Sequence, residues 1–267
     1  MNIKSLLIIF LVLLVLVYFG TYGFLYAIKE EQSNIFKGQL LPANFKFTFT
    51  ENFEEFSLKA ADGGELNALL FKAANAKGAV CFWKGNGGTL NNWGAMAPQF
   101  LKLNYDVIIT DYRQQGKSLG EISLKNFYTD AQTIYDFLKP KYSEENIVIV
   151  GYSLGGRIAA HLAAENEPNI TILIDPASTT GDFSQRFLEA IYFPLPSTNK
   201  FLFQTEADVG KTKTPVAIIA TENIKSLAHQ LKPLLKNKDK FFEIKGATHA
   251  TILGSKETEK IISNLLK

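Results

Sequence analysis

The chain has 267 residues, 46% hydrophobic and 20% charged, a globular mixture of a size for about one to two domains. Its formal charge is +2, and it has no block of Lys and Arg able to neutralise a run of phosphates, which argues against nucleic acid as a partner. A single cysteine, Cys81, cannot make an internal disulfide, and His161, His229 and His249 lie far apart with no cysteine at zinc-finger spacing, so no metal and no other cofactor is expected.

In chain order, the first feature is an uncharged run, SLLIIFLVLLVLVYFGTYGFLYAI, from Ser5 to Ile28. It exceeds the roughly 20 residues that a helix needs to cross a bilayer. A cleaved secretory signal has an apolar core of only about 7 to 15 residues, and a buried core helix would show a polar face over this length. An uncleaved membrane anchor is therefore expected, with Tyr18, Tyr22 and Tyr26 suited to the interface. Lys4 precedes the run and Lys29, Lys37 and Lys46 follow it among several acids, so the positive-inside count does not choose an orientation. The short leading tail makes an extracytoplasmic catalytic domain the expectation.

From Leu40 onward strands and helices alternate. Phe45–Phe49 and Phe53–Ala60 read as strands by period two, and Asp62-Gly63-Gly64 turns the chain into a strand at Leu66–Lys72. Four apolar runs follow, Ala79–Trp83, Val107–Asp111, Ile147–Val150 and Ile170–Ile174, of the kind that parallel sheets bury on both faces. Helices are predicted between them at Ala95–Leu103, Phe127–Leu138 and Gly156–Asn166. Strands at Val216–Ala220 and Lys240–Ile244 flank a helix at Ser226–Leu235, and Lys256–Leu266 closes the chain as a helix. The alternation specifies an α/β layered domain with a mostly parallel sheet.

Ligands of such sheets bind beyond the carboxyl ends of the strands. At one of those ends Ile147–Val150 runs into Gly151-Tyr152-Ser153-Leu154-Gly155-Gly156 and then into a helix. This is G-x-S-x-G in a strand, turn, helix context, where the glycines permit a strained turn that lifts the serine hydroxyl above the sheet.

With that motif, Lys84-Gly85-Asn86-Gly87-Gly88 and Asp111-Tyr112-Arg113-Gln114-Gln115-Gly116-Lys117-Ser118 fall in the order seen in the α/β-hydrolases, and from about Phe53 to Lys267 the chain resembles that family, most closely its bacterial membrane-anchored serine hydrolases. The resemblance implies an α/β-hydrolase fold of about eight strands with a small cap after strand six. Two residues depart from the family pattern: Gln114 replaces a glycine, and Lys84 replaces the histidine of His-Gly. Family order of serine, acid, histidine makes Ser153 the nucleophile and His249, after the last strand, the base; His161 and His229 sit within helices as packing or surface residues. The resemblance also implies oxyanion donors at the backbone N–H groups of Asn86 and Leu154. Asp111 reads as structural, bracing the loop Tyr112–Ser118. A phosphate-cradling role for Gly85–Gly88 lacks the Lys-Ser/Thr of a P-loop.

The acid is less direct, because the family's aspartate position after strand seven holds Ile224. Glu222 lies at the right strand end and is the expected acid; Asp175, after strand six, is the alternative. Between Asp175 and Lys213 the sequence turns aromatic, with Phe183, Phe187, Tyr192, Phe193, Phe201 and Phe203, which reads either as a cap lining an apolar acyl pocket or as packing alone. The expected organisation is an anchor and linker at 1–37 and a hydrolase domain at 38–267, with its cap at about 177–213. The expected function is a membrane-tethered serine hydrolase that cleaves an ester, thioester or amide of an apolar acyl group through an acyl-enzyme. The alternative is a weakened hydrolase fold retained as a scaffold at the membrane.

Overall fold

A computed structural model of the chain describes residues 2–176 and 201–267. The uncharged run forms helix α1 (Ile3–Glu31), whose segment Ile3–Phe24 has mean hydropathy 2.7 and no buried residue, and is a candidate transmembrane span. Residues Phe36–Ser178 and Phe203–Lys267 form a separate compact unit. It begins at Phe36, whose side chain is buried against Phe127.

That unit is built on one eight-stranded sheet: β1 (Phe53–Lys59), β2 (Glu65–Phe71), β3 (Gly78–Trp83), β4 (Tyr105–Thr110), β5 (Ile147–Tyr152), β6 (Ile170–Ile174), β7 (Val216–Thr221) and β8 (Lys240–Ile244), in the order β1-β2-β4-β3-β5-β6-β7-β8. β2 is antiparallel to β1 and to β4, and all other neighbours are parallel. Every residue of β3 to β7 is buried, which is why these strands read as unbroken apolar runs rather than alternating ones. Asp106, a charged residue within β4, is paired: its carboxylate accepts from Lys72 Nζ, Ala73 N and, at 2.5 Å, Tyr142 Oη.

Among the described residues the unit's α-helices are α2 (Leu90–Trp93), α3 (Pro98–Leu101), α4 (Leu124–Leu138), α5 (Leu154–Glu165), α6 (Thr205–Lys211), α7 (Leu227–Leu231) and α8 (Lys256–Leu265). The single helix predicted at Ala95–Leu103 is instead a pair of four-residue turns joined by a 3-10 turn at Gly94–Met96. Pro98 supplies no N–H to continue a preceding helix, and Gly94 is pressed on Phe49 so closely that a Cβ there would lie 2.3 Å from the ring. The strand predicted at Phe45–Phe49 is an irregular segment with no ladder partner; its alternation is real but serves packing, with Phe47 buried in the core and Phe49 edge-on to Phe71. Pro233 likewise shortens the helix predicted at Ser226–Leu235 to α7 plus a 3-10 turn.

Of the stretch expected as a cap, residues 177–200, including Phe183, Phe187, Tyr192 and Phe193, lie outside the described residues. Its later part belongs to the sheet-bearing unit. Phe203 packs on Phe127 and Tyr128, and α6, which sequence periodicity did not suggest, lies on α5. Arg157 Nε donates to Thr205 Oγ1 at 3.1 Å, and His161 Nδ1 is 3.3 Å from Asp208 Oδ2.

Candidate active site

The turn from β5 into α5 puts Ser153 at φ 55°, ψ −118°, a conformation that costs a non-glycine residue on the order of 1–3 kcal/mol. Close packing holds it there. A Cβ at Gly155 would lie 2.0 Å from Trp83 O, and one at Gly151 would lie 2.2 Å from Gly155 O, so α5 reaches the end of β3 only because both positions are glycine. Ser153 N donates to Ile174 O at 3.1 Å, tying the turn to the end of β6.

Register then decides which carboxylate is near. β5 and β6 pair with Tyr152 opposite Ile174, so Ser153 and Asp175 leave neighbouring strands at the same level. Asp175 adopts φ 38°, and its N–H donates to Ile219 O at 2.8 Å. Its buried carboxylate accepts from His249 Nδ1 at 2.7 Å through Oδ2, while Oδ1 lies 3.5 Å from both the N–H and the hydroxyl of Thr221. The other ring nitrogen, His249 Nε2, is 2.9 Å from Ser153 Oγ. Serine, histidine and aspartate thus form one hydrogen-bonded chain. The Asp175 contact fixes the proton on Nδ1 and leaves Nε2 as acceptor for the serine hydroxyl.

Glu222, the acid expected from the sequence, is not on the ring. It is exposed, and its Oε2 accepts the N–H of Gly246 at 2.9 Å. The physical reason is strand order: Glu222 leaves β7, one strand farther from Ser153 than β6, and there it meets the backbone of the loop that delivers His249 rather than the imidazole. His229 Nε2 donates to Thr221 O at 2.8 Å, and His161 stacks on Tyr128, so both histidines are engaged away from Ser153.

The loop after β3 carries Asn86, and α5 begins at Leu154, the two residues expected to donate to an oxyanion. The approach of Gly155 to Trp83 O and Lys84 O brings the two segments together. Below the loop Lys84 and Asp111 are fully buried, with Nζ 3.5 Å from Asp111 Oδ1. Burial pushes the Lys84 ammonium down to about 8 and the Asp111 carboxyl up to about 6. Asp111 also braces the following loop: its carbonyl accepts from Ser118 Oγ at 2.8 Å, and its Oδ2 accepts from Leu90 N at 3.0 Å. Arg113, from the same segment, clamps Asp62 of the β1–β2 turn and Asp130 of α4, each through two hydrogen bonds.

Tyr152 is a site residue that the sequence did not single out. Its ring stacks on His249 with centroids 5.2 Å apart, and its hydroxyl donates to His249 O at 2.6 Å. As a variable position of G-x-S-x-G it carries no signal of its own. Beside the histidine a cleft of about 530 Å³ is lined by Pro176, Thr221, Glu222, Lys225, Leu227 and Ala247, among others, a mixed polar and apolar wall of small-ligand size. Among the described residues, no group of three or more His, Cys, Asp or Glu side chains is placed to hold a metal ion.

Comparison with known proteins agrees with this architecture. A family model described as alpha/beta hydrolase fold matches residues 78–187, a stretch that holds Lys84, Ser153 and Asp175. Protein bem46 of Schizosaccharomyces pombe is 30% identical over 132 residues, covering 47% of this chain and 44% of that protein. Lysophosphatidylserine lipase ABHD12 of Danio rerio is 26% identical over 227 residues, covering 70% of this chain and 58% of that protein. The chain thus spans about half the length of these curated relatives. Among solved structures, an esterase of Pyrococcus furiosus superposes with a TM-score of 0.66 at 16% identity, over 86% of this chain and 96% of the other, a likeness of fold.

Proposed function

We propose that this chain, whose fold is that of the α/β hydrolases, is a membrane-tethered serine hydrolase that cleaves an ester, thioester or amide with an apolar acyl group. The observation that carries the reading is the hydrogen-bonded chain Ser153–His249–Asp175 at 2.9 and 2.7 Å. Ser153 Oγ attacks the acyl carbon as its proton passes to His249 Nε2; Asp175 stabilises the imidazolium; backbone N–H groups of Leu154 and Asn86 receive the oxyanion. Collapse of the tetrahedral intermediate transfers the proton to the leaving group and leaves an acyl-serine. Water, deprotonated by the same imidazole, then releases the acid and restores the serine.

The apolar acyl group is supported by the aromatic sequence after Asp175 and by similarity to a protein named lysophosphatidylserine lipase. Membrane tethering is supported by the length and hydropathy of Ile3–Phe24.

Full-length protein in detergent is expected to hydrolyse p-nitrophenyl esters and to be labelled by a fluorophosphonate. Ser153→Ala should abolish labelling and reduce turnover on the order of 10⁴ to 10⁶; wild-type turnover in that variant would remove the serine assignment. Membranes washed with alkaline carbonate should retain the chain, and its release would remove the anchor.

A further inference from the structure

The loop from Lys84 to Gly88 has no regular structure to orient its peptides, yet side chains grip four of its carbonyls. Tyr112 Oη donates to Lys84 O at 2.5 Å, Gln115 Nε2 to Asn86 O at 2.9 Å, Trp93 Nε1 to Gly87 O at 2.7 Å and Lys84 Nζ to Gly88 O at 3.1 Å. The peptide that bears the Asn86 N–H lies between two of these pins, at Lys84 O and Asn86 O. Pinning the carbonyls on both sides narrows the dihedral angles open to the planar peptide between them and so favours one direction for that N–H.

Gln115 is the hub of this arrangement and is fully buried. Its Oε1 accepts from Lys84 Nζ, and its two amide hydrogens go to Asn86 O at 2.9 Å and Phe36 O at 2.7 Å. Because an ammonium can only donate, Lys84 forces the amide oxygen toward itself and the amide nitrogen toward Asn86. Lys84 is in turn fixed by Asp111 and by the face of Tyr112, 4.7 Å away. The lysine that departs from the family pattern is thus complemented by a glutamine in the next motif.

We propose that Gln115, oriented by Lys84, is a positioning residue that aims the Asn86 N–H at the oxyanion. This rests on the serine-hydrolase reading above. A reporter of the oxyanion itself tests it: a trifluoromethyl ketone, to whose carbonyl carbon Ser153 Oγ adds, its proton passing to His249 and the carbonyl electron pair to oxygen. In the full chain in detergent, Gln115→Met keeps the side chain's bulk and removes all three hydrogen bonds. It should lower kcat on a p-nitrophenyl ester about 10- to 100-fold with KM within about twofold, and raise the ketone's inhibition constant by the same factor, since losing an oxyanion donor outright costs about 10² to 10³. Gln115→Glu keeps the acceptor for Lys84 but loses both donors, and should show the same loss even if the methionine variant is too unstable to assay. A role confined to stability would lower the melting temperature and leave the ketone constant unmoved. An unchanged ketone constant in either folded variant overturns the proposal and leaves the serine-hydrolase reading standing; wild-type protein that neither hydrolyses the ester nor binds the ketone overturns both.

Discussion

The Ser153 turn and the Asp175 position, nucleophile and acid in the proposed reading, sit side by side at the top of the sheet, yet they are specified in opposite ways. The turn is local: β5, Gly151 to Gly156 and α5 are contiguous, and the two close approaches that require glycine lie within or directly beneath it. The acid is a product of convergence. Asp175 reaches His249 only because β6 pairs with β5 in one particular register and because the chain after β8 returns across two strands. A locally built element is set by the short-range geometry of its own residues, whereas a convergent one depends on sheet order and register.

The largest effect that would break this comparison is at Asp175. Asp175→Asn is expected to reduce turnover on the order of 10⁴ while leaving the fold in place, because the imidazole loses its tautomer-fixing partner. Steady-state kinetics on an activated ester measures it, and near wild-type turnover would mean that register does not select the acid. Glu222→Gln should do far less. It weakens one hydrogen bond to Gly246, a change of about 0.5–1.5 kcal/mol in loop stability, and turnover should stay within about tenfold of wild type. If Glu222→Gln instead collapses activity while Asp175→Asn does not, the two roles are exchanged.

The smallest effect concerns convergence without chemistry, at Asp62. Arg113 holds its carboxyl well below the ordinary value of 3.8 through two hydrogen bonds. A depressed carboxylate contributes stability that is present above 3.8 and is lost as pH falls below it. Asp62→Asn should therefore melt lower than wild type at pH 7, with the gap narrowing steadily as pH falls below 3.8, and the turnover of folded protein should be unchanged. A gap that does not narrow at all between about pH 5 and pH 2 would show that the contact acts through packing rather than charge.

What the sequence made legible follows the same division. Burial on both faces made β3 to β7 plain as apolar runs, and the parallel layered architecture followed from their alternation with helices. The strand, turn, helix setting of Ser153 was legible because its motif is contiguous, and the place of His249 because it follows the last strand. Glu222 was ranked above Asp175 from the sequence, whereas the structure puts Asp175 on the ring; each ends a buried strand, and only strand order separates them. Breaks in the predicted helices came from single residues, Pro98, Pro233 and Gly94, whose effects are local but were outweighed by an apolar pattern that ran through them. The hub at Gln115 left no trace, because its partners are mostly backbone carbonyls and nothing in a glutamine's neighbours announces them.

Tyr152 carries a consequence for motion. It precedes the serine directly, and it holds the histidine by the face of its ring and by its backbone carbonyl. Ser153 and His249 therefore share one mechanical frame: a displacement of the turn carries the imidazole with it instead of stretching the hydrogen bond between them. The loop after β8 is thus held at two points, at His249 by Tyr152 and at Gly246 by Glu222, and the first of these is where a shift of a few tenths of an ångström would separate His249 from Ser153.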